Sequence, residues 1–290
     1  METNNSNTNI TKQFISLEKI IASKNKTLLK ILPKFVLSKF KKFICLDRIN
    51  EIIYKYRDKQ GVSFANSVLN ELNITKQIIN EDNIPLSGRP LVVANHPIGS
   101  IDGMALISVM GQNREDVLFP VNDILCQLPG LKKVFVPINK YGKNSSNHDA
   151  LNKAFEGDSA MCFFPAGTES KIIDGKLQDF AWKKSCFKKA VQFHRNIYPV
   201  YIEGHNSKSF YRLYHIRRFF GIKFDLEMIM LPREMFKQQN RTIKLIFGKP
   251  IAIEALDDRY SMSEWAKMIR SYVYCLKDNP DAVFTINAKQ

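Results

Sequence analysis

Apolar residues along this chain fall into short runs, and segments with helical periodicity lie between several of them. The runs have the length and β-branched content of buried strands and cover residues 91–94, 117–121, 134–138, 160–164, 197–202 and 243–247. Helical patterns cover residues 103–110, 149–155, 183–194 and 261–276. This alternation predicts an α/β fold in which a mostly parallel β-sheet is flanked by helices, and we place that domain at residues 81–290.

The part of the chain before this domain is expected to be helical over residues 13–80. Residues 27–46 combine large apolar side chains with lysines, and Pro33 is expected to bend or split this segment. Residues 47–80 carry helical periodicity in two apolar stripes. Residues 1–12 are rich in Asn and Thr, lack the basic-then-apolar order of a signal peptide, and are expected to be disordered.

Two interpretations of residues 27–46 stay open at this point. One is a basic amphipathic element that lies on an anionic bilayer, which the density of lysines and aromatic residues favours. The other is an ordinary helix that packs on its own domain and leaves its lysines in solvent. A spanning helix is not expected, because no uncharged run reaches the roughly eighteen residues that crossing a bilayer needs.

Composition narrows the class of protein. With 290 residues, of which 44% are hydrophobic, the chain is able to bury a substantial core. Its net charge of +15 suits an anionic partner such as nucleic acid, an anionic membrane surface or an acidic carrier. The cysteines lack the paired spacing of a metal site and indicate a reducing compartment; they are Cys45, Cys126, Cys162, Cys186 and Cys275.

The polar turn after the first apolar run carries the strongest chemical signal. It begins with Asn95 and His96, Gly99 permits a sharp turn, and Ser100 is expected to cap the next helix. His96 and Asp102 are out of phase on a regular helix, but the turn can bring them together. A histidine oriented by a carboxylate is a general base. The alternative is a structural histidine beside an aspartate that only complements the helix dipole.

Three further turns follow apolar runs. Residues 163–170 form a Pro- and Gly-containing turn whose amides and hydroxyls can hold an oxyanion or a phosphate. In residues 136–142, Lys140 either meets an anionic head group or is simply solvated. In residues 198–207, His205 is either a rival base or a residue that supports the site.

In combination, the four turns resemble the glycerolipid acyltransferase family of the lysophosphatidate acyltransferase type. The resemblance covers about residues 75–250 and keeps the family's order of blocks, at Asn95-His96 with Asp102, then 136–142, 164–170 and 197–202. It implies that His96 is the general base, that Asp102 orients it, and that no acyl-enzyme forms. It also implies a substrate site lined by Asn95, Gly99, Asn139, Lys140, Pro165, Gly167, Thr168, Glu169 and Ser170.

Departures from the family pattern bear on the acceptor. Five residues separate His96 from Asp102 where four are commoner, Ala166 stands where a Glu is usual, and Asn139-Lys140 stand where an Arg is usual. The form Asn-His-Pro-x-Gly-x-x-Asp-Gly resembles a hemolysin-like bacterial subgroup that includes O-acyltransferases making ornithine and glycine lipids. The resemblance therefore implies a lyso-aminolipid acceptor at least as well as lysophosphatidate.

The resemblance implies an O-acyltransferase that moves a fatty acyl chain from acyl carrier protein or acyl-CoA to a lysolipid hydroxyl. No metal or further cofactor is expected. The protein is expected to be peripheral, on an anionic membrane surface at the cytoplasmic face of the inner membrane. Two other classes remain: a nucleic-acid-binding protein, which lacks a recognisable module and is not expected, and a hemolysin-like membrane-active protein, which lacks a spanning segment.

Overall fold

A computed structural model describes residues 14–24, 26–122, 125–138, 145–222 and 225–286, and these residues include a seven-stranded sheet. Its strands are Thr75–Ile79 (β1), Leu91–Ala94 (β2), Val117–Val121 (β3), Phe135–Pro137 (β4), Ala160–Phe163 (β5), Ile197–Glu203 (β8) and Thr242–Phe247 (β9). The order across the sheet is β1-β9-β8-β2-β5-β3-β4, and every pair is parallel except β8 with β9. Lys171–Ile173 (β6) and Lys176–Gln178 (β7) form a separate antiparallel hairpin. The prediction of a mostly parallel α/β sheet is confirmed.

Helices cover both faces of the sheet. They are Leu17–Lys24 (α1), Lys26–Ile31 (α2), Lys34–Phe43 (α3), Leu46–Lys55 (α4), Val62–Glu71 (α5), Ser100–Met110 (α6), Ser145–Glu156 (α7), Ser185–Gln192 (α8), Lys208–Phe219 (α9), Leu231–Phe236 (α10) and Met262–Cys275 (α11). Alternate residues of a strand point to opposite faces. Val92 of β2 accordingly joins the core formed with α4, α5 and α6, whereas Leu91 joins the core formed with α8 and α11.

The prediction of helix as far as residue 80 is wrong at its end, because Thr75–Ile79 forms β1. This strand pairs with β9 over its whole length, from Thr75 opposite Thr242 to Ile79 opposite Ile246. The partner lies far along the chain, so the local pattern does not reveal the ladder that holds the segment extended. The sheet therefore begins before residue 81, and α4 and α5 share its core.

The segment at residues 27–46 is divided as expected at Pro33, between α2 and α3. No residue of α3 is buried, and Ile31 and Phe35 are 71% and 64% exposed. Lys41 forms an ion pair with Glu18, which ties α3 to α1. Within the described ranges, none of the helices has both the length and the apolar character needed to cross a membrane. Contact with a bilayer surface stays a prediction.

Candidate active site

His96 lies just beyond the carboxyl end of β2, between the ends of β5 and β8. Because the three strands are parallel to one another, the turns that follow them meet at one edge of the sheet. The turn at residues 164–170 follows β5, and the turn at residues 204–207 follows β8. The topology thus gathers three of the four sequence blocks at this edge.

His96 and Asp102 do meet, as the turn between them allows. The Nδ1 of His96 lies 3.0 Å from Oδ2 of Asp102, whose side chain is fully buried. The same oxygen accepts hydrogen bonds from the backbone N–H groups of Ile98 and Gly99, at 2.8 and 3.0 Å. Gly99 adopts a φ of +119°, which is accessible to glycine and strained for other residues.

The expectation that Ser100 caps α6 is wrong. The helix begins at Ser100, and Gly99 occupies the capping position without a side chain of its own. The carboxylate of Asp102 instead accepts the hydrogen bond of the Gly99 N–H, reaching back from the first turn of the helix. The residue that orients His96 therefore also stabilises the start of α6.

The backbone and ring of His96 are fixed by groups from two other segments. Its N–H donates to Oδ1 of Asp179 at 3.2 Å, and its carbonyl oxygen accepts from the N–H of Ser170 at 2.7 Å. Its imidazole stacks on the ring of Phe164, with centroids 4.0 Å apart and planes 9° from parallel. The Nε2 edge is the part of the ring left to face a substrate, and 14% of the side chain is exposed.

Asp179 is a site residue that the sequence analysis missed. It is 1% exposed, and besides the N–H of His96 it accepts hydrogen bonds from Ser170 Oγ at 2.6 Å and Trp182 Nε1 at 2.8 Å. Burial raises the pKa of Asp179, and these donors oppose the rise. Asp179 belongs to none of the sequence motifs. It comes close to His96 because the β6–β7 hairpin brings the chain back to that turn, which the local sequence pattern does not reveal.

Two residues expected to line the substrate site have buried side chains that form hydrogen bonds within the protein. Asn95 is 2% exposed, and its amide both donates to the carbonyl of Ile202 and accepts from its N–H, at 2.8 and 2.6 Å. Ser170 is 1% exposed and donates to Asp179. The contact of Asn95 joins the end of β2 to β8, and the contact of Ser170 joins the turn after β5 to Asp179. Both residues therefore help to fix the backbone on which His96 stands.

Glu169 faces the free edge of the histidine. Its Oε1 lies 3.8 Å from Nε2 of His96, and the residue is 5% exposed. Burial by itself would lower the pKa of His96, but Asp102, followed by Glu169 and Asp179, outweighs burial and raises that pKa above its usual value. The site therefore strengthens His96 as a base and stabilises its protonated form.

The turn at residues 165–168 borders an open space. Gly167 is exposed with a φ of +72°, and Pro165 is buried. The hydroxyl of Thr168 donates to Oε2 of Glu169 at 3.2 Å. A pocket of about 290 Å³ opens beside Gly167 and Thr168. Both residues border this pocket, and their contact with a substrate stays a prediction.

Asn139, Lys140 and His205 are the remaining candidates. Asn139 and Lys140 lie outside the described residues, as do Tyr141 and Gly142 of the same block. His205 is exposed after β8, and its Nδ1 donates to the carbonyl of Asn206 at 2.9 Å. In the part of the chain that the structure describes, no carboxylate orients His205 as Asp102 orients His96.

Comparison with known proteins gives three results. A family model described as Acyltransferase matches residues 19–283. Two curated proteins named lyso-glycine lipid O-acyltransferase are similar to this chain over 264 residues. The protein of Bacteroides thetaiotaomicron is 37% identical, and the match covers 90% of this chain and 97% of that protein. The protein of Phocaeicola vulgatus is 35% identical, and the match covers 90% of this chain and 95% of that protein. The crystal structure of the 1-acyl-sn-glycerophosphate (LPA) acyltransferase PlsC from Thermotoga maritima is similar with a TM-score of 0.45 and 17% identity, covering 84% of this chain and 95% of that one.

Proposed function

This chain belongs to the acyltransferase family, and we propose that it transfers a fatty acyl chain from a thioester to the hydroxyl of a lysolipid. The observation that carries the proposal is the buried His96–Asp102 pair, which leaves the Nε2 edge of the imidazole free to take a proton. We further propose a lyso-glycine lipid as the acceptor, because both curated relatives carry that name.

The proposed reaction needs one base and no acyl-enzyme. Asp102 accepts a hydrogen bond from Nδ1–H of His96, which leaves the lone pair of Nε2 free. Nε2 takes the proton of the acceptor hydroxyl while that oxygen attacks the thioester carbonyl. When the carbon–sulfur bond breaks, the proton passes from Nε2 to the departing sulfur, so that the products are an ester and a thiol. Apart from the acyl donor, this reaction needs no cofactor.

The family departures support the choice of acceptor. A lysophosphatidate head group is a phosphate monoester, for which an arginine fork is the preferred partner. The sequence lacks the usual arginine in the second block, where Asn139 and Lys140 stand instead. A glycine head group carries one carboxylate and asks for less positive charge.

The acyl donor and the membrane complete the proposal. Acyl-ACP and acyl-CoA both offer a thioester, and the net charge of +15 favours an acidic carrier protein through long-range attraction.

We place the enzyme as a peripheral protein at an anionic membrane, on the cytoplasmic face of the inner membrane. Exposed Ile31 and Phe35 with the lysines of α3 support this location. Family membership supports neither nucleic-acid binding nor lysis as the main function.

An acyl-transfer assay tests the function directly. Purified protein is incubated with an acyl donor and an equimolar mixture of lyso-glycine lipid and lysophosphatidate, and the products are separated by mass spectrometry. We expect the diacyl glycine lipid to predominate and His96→Ala to form neither product. A strong preference for lysophosphatidate would overturn the acceptor, and a folded protein that acylates no lysolipid would overturn the function.

A further inference from the structure

We infer that the pocket beside Gly167 and Thr168 is a subsite for the single carboxylate of the acceptor head group. Its cationic lining comprises Lys171, Lys183, Arg217 and Arg218. The inference rests on the proposed function and deepens it, since it assigns the part of the acceptor that does not react. A binding subsite for the head group fixes the hydroxyl at His96 without contacting the reacting atoms.

The pocket is close enough to serve the catalytic pair. Thr168 lines it and hydrogen-bonds to Oε2 of Glu169, while Oε1 of Glu169 lies 3.8 Å from Nε2 of His96. A single residue thus separates the pocket from the proposed base. A short head group can span that separation, with its hydroxyl at His96 and its charged end among the cations.

Lys171 provides the strongest sign of a missing ligand. It is 1% exposed, and its Nζ has no hydrogen-bond partner among the described residues. The nearest carboxylate oxygens, on Glu169 and Glu227, are each 3.8 Å away, which is too far for a hydrogen bond. These two ion pairs and the ring of Phe210, whose centroid is 4.5 Å from Nζ, compensate the charge but accept no hydrogen bond from it. Because a buried donor without an acceptor is costly, a bound carboxylate oxygen would supply the acceptor that Nζ lacks.

The charges in and beside the pocket match one negative charge rather than two. Arg217 is already paired with Glu227 and Asp225. Lys183 and Arg218 are exposed, and the described residues offer neither an ion-pair partner. Counting Glu169 with Asp225 and Glu227, three carboxylates oppose the four cations, which leaves one positive charge. A carboxylate balances this charge, whereas a doubly charged phosphate monoester exceeds it.

Lys183→Gln/Arg218→Gln is the test variant, because both side chains are exposed and the fold should tolerate the change. Lys184→Gln/Arg212→Gln is the matched control: it removes the same charge from exposed neighbours that do not line the pocket. Each protein is assayed in neutral detergent with a lyso-glycine lipid and with the methyl ester of the same lipid. The ester keeps the hydroxyl and the chain but lacks the negative charge.

We expect the test variant to raise KM for the free acid about tenfold while kcat stays within about twofold, since charge-assisted hydrogen bonds are lost in binding. KM for the methyl ester and for the acyl donor should not change, and the control should behave as the unmodified enzyme. Lys171→Met should raise the same KM, with its thermal melting followed separately because this residue is buried.

Three other outcomes would contradict either the pocket assignment or the proposed function. Equal increases in KM for the acid and for the ester would mean that the pocket does not distinguish a charged head group from a neutral one. A change confined to KM of the donor would assign the cations to the phosphates of coenzyme A or of the carrier's prosthetic group. Failure of the unmodified enzyme to acylate either lipid would reject the proposed function itself, independently of the pocket.

Discussion

At the residue scale, Asp102 concentrates its contacts on one oxygen. Oδ2 accepts from His96 and from two backbone N–H groups, while Oδ1 has no partner among the described residues. In Asp102→Asn, the amide oxygen can keep all three hydrogen bonds, so that the substitution removes mainly the charge. We expect the fold to survive and kcat to fall by about a hundredfold or more, because the imidazolium loses its stabilising partner. Near-normal turnover in His96→Ala, measured in parallel, would contradict the assignment of the base.

The pH dependence of the reaction follows from the raised pKa of His96. A general base must be neutral, so kcat/KM should rise with pH to a plateau, with a midpoint above the ordinary histidine value of about 6.5. Glu169→Gln removes one of the carboxylates that raise this pKa and should move the midpoint downward. The stabilisation from protonated His96 is fully present below about pH 6.5 and is lost as pH rises through its folded-state pKa. An unmoved midpoint in Glu169→Gln would show that Glu169 does not act on His96.

At the element scale, the buried Arg195 stabilises the carboxyl end of α7. Arg195 is 0% exposed, and its guanidinium donates to the carbonyl oxygens of Ala154, Phe155, Gly157 and Ser159. Removing it would take this donor from the carbonyl oxygens of Ala154 and Ser159, whereas those of Phe155 and Gly157 would keep a donor in Arg89. Arg195→Leu should therefore reduce the free energy of unfolding by about 3 kcal/mol or more, as measured by denaturant titration. Arg89→Gln is the control, since Arg89 contacts the same helix end from a more exposed position and should cost less.

The segment formed by α2 and α3 also makes a prediction at this scale. Ile31→Ser/Phe35→Ser should convert salt-resistant binding to anionic vesicles into binding that salt removes, because only the screened lysine attraction remains. Leu86→Ser/Val283→Ser, which removes exposed apolar side chains elsewhere, should have no such effect in vesicle flotation. If a chain lacking residues 1–46 still floats as well as the intact one, this segment is not the anchor. The exposed Phe219 and Phe220 at the end of α9 would then be the next side chains to test.

At the scale of the whole molecule, the sequence predicted features that local pattern encodes. The central strands are short apolar runs, and the turn at Gly99 brings His96 to Asp102, so both were accessible without a structure. Strand β1 was missed because its ladder with β9 is formed with a distant segment. Asp179 was missed for the same reason. Asn95 and Ser170 adjoin the motif residues, which predicts substrate contacts for both. Their side chains instead form hydrogen bonds with Ile202 and Asp179, which only the folded chain brings near them.

The hydrogen bonds between Asn95 and Ile202 have a consequence for the order of events in folding. They connect positions 107 residues apart, and the contact of His96 with Asp179 spans 83. Contacts of such separation form late, since a long loop must close before they stabilise anything. During synthesis, the turn with Asn95 and His96 leaves the ribosome before its partners in later segments. We therefore expect these hydrogen bonds to fix the turn only after β8 has been synthesised and has joined the sheet. In a refolding experiment, helical circular dichroism should recover first and acyl transfer last, so that turnover reports the closing of the sheet rather than its beginning.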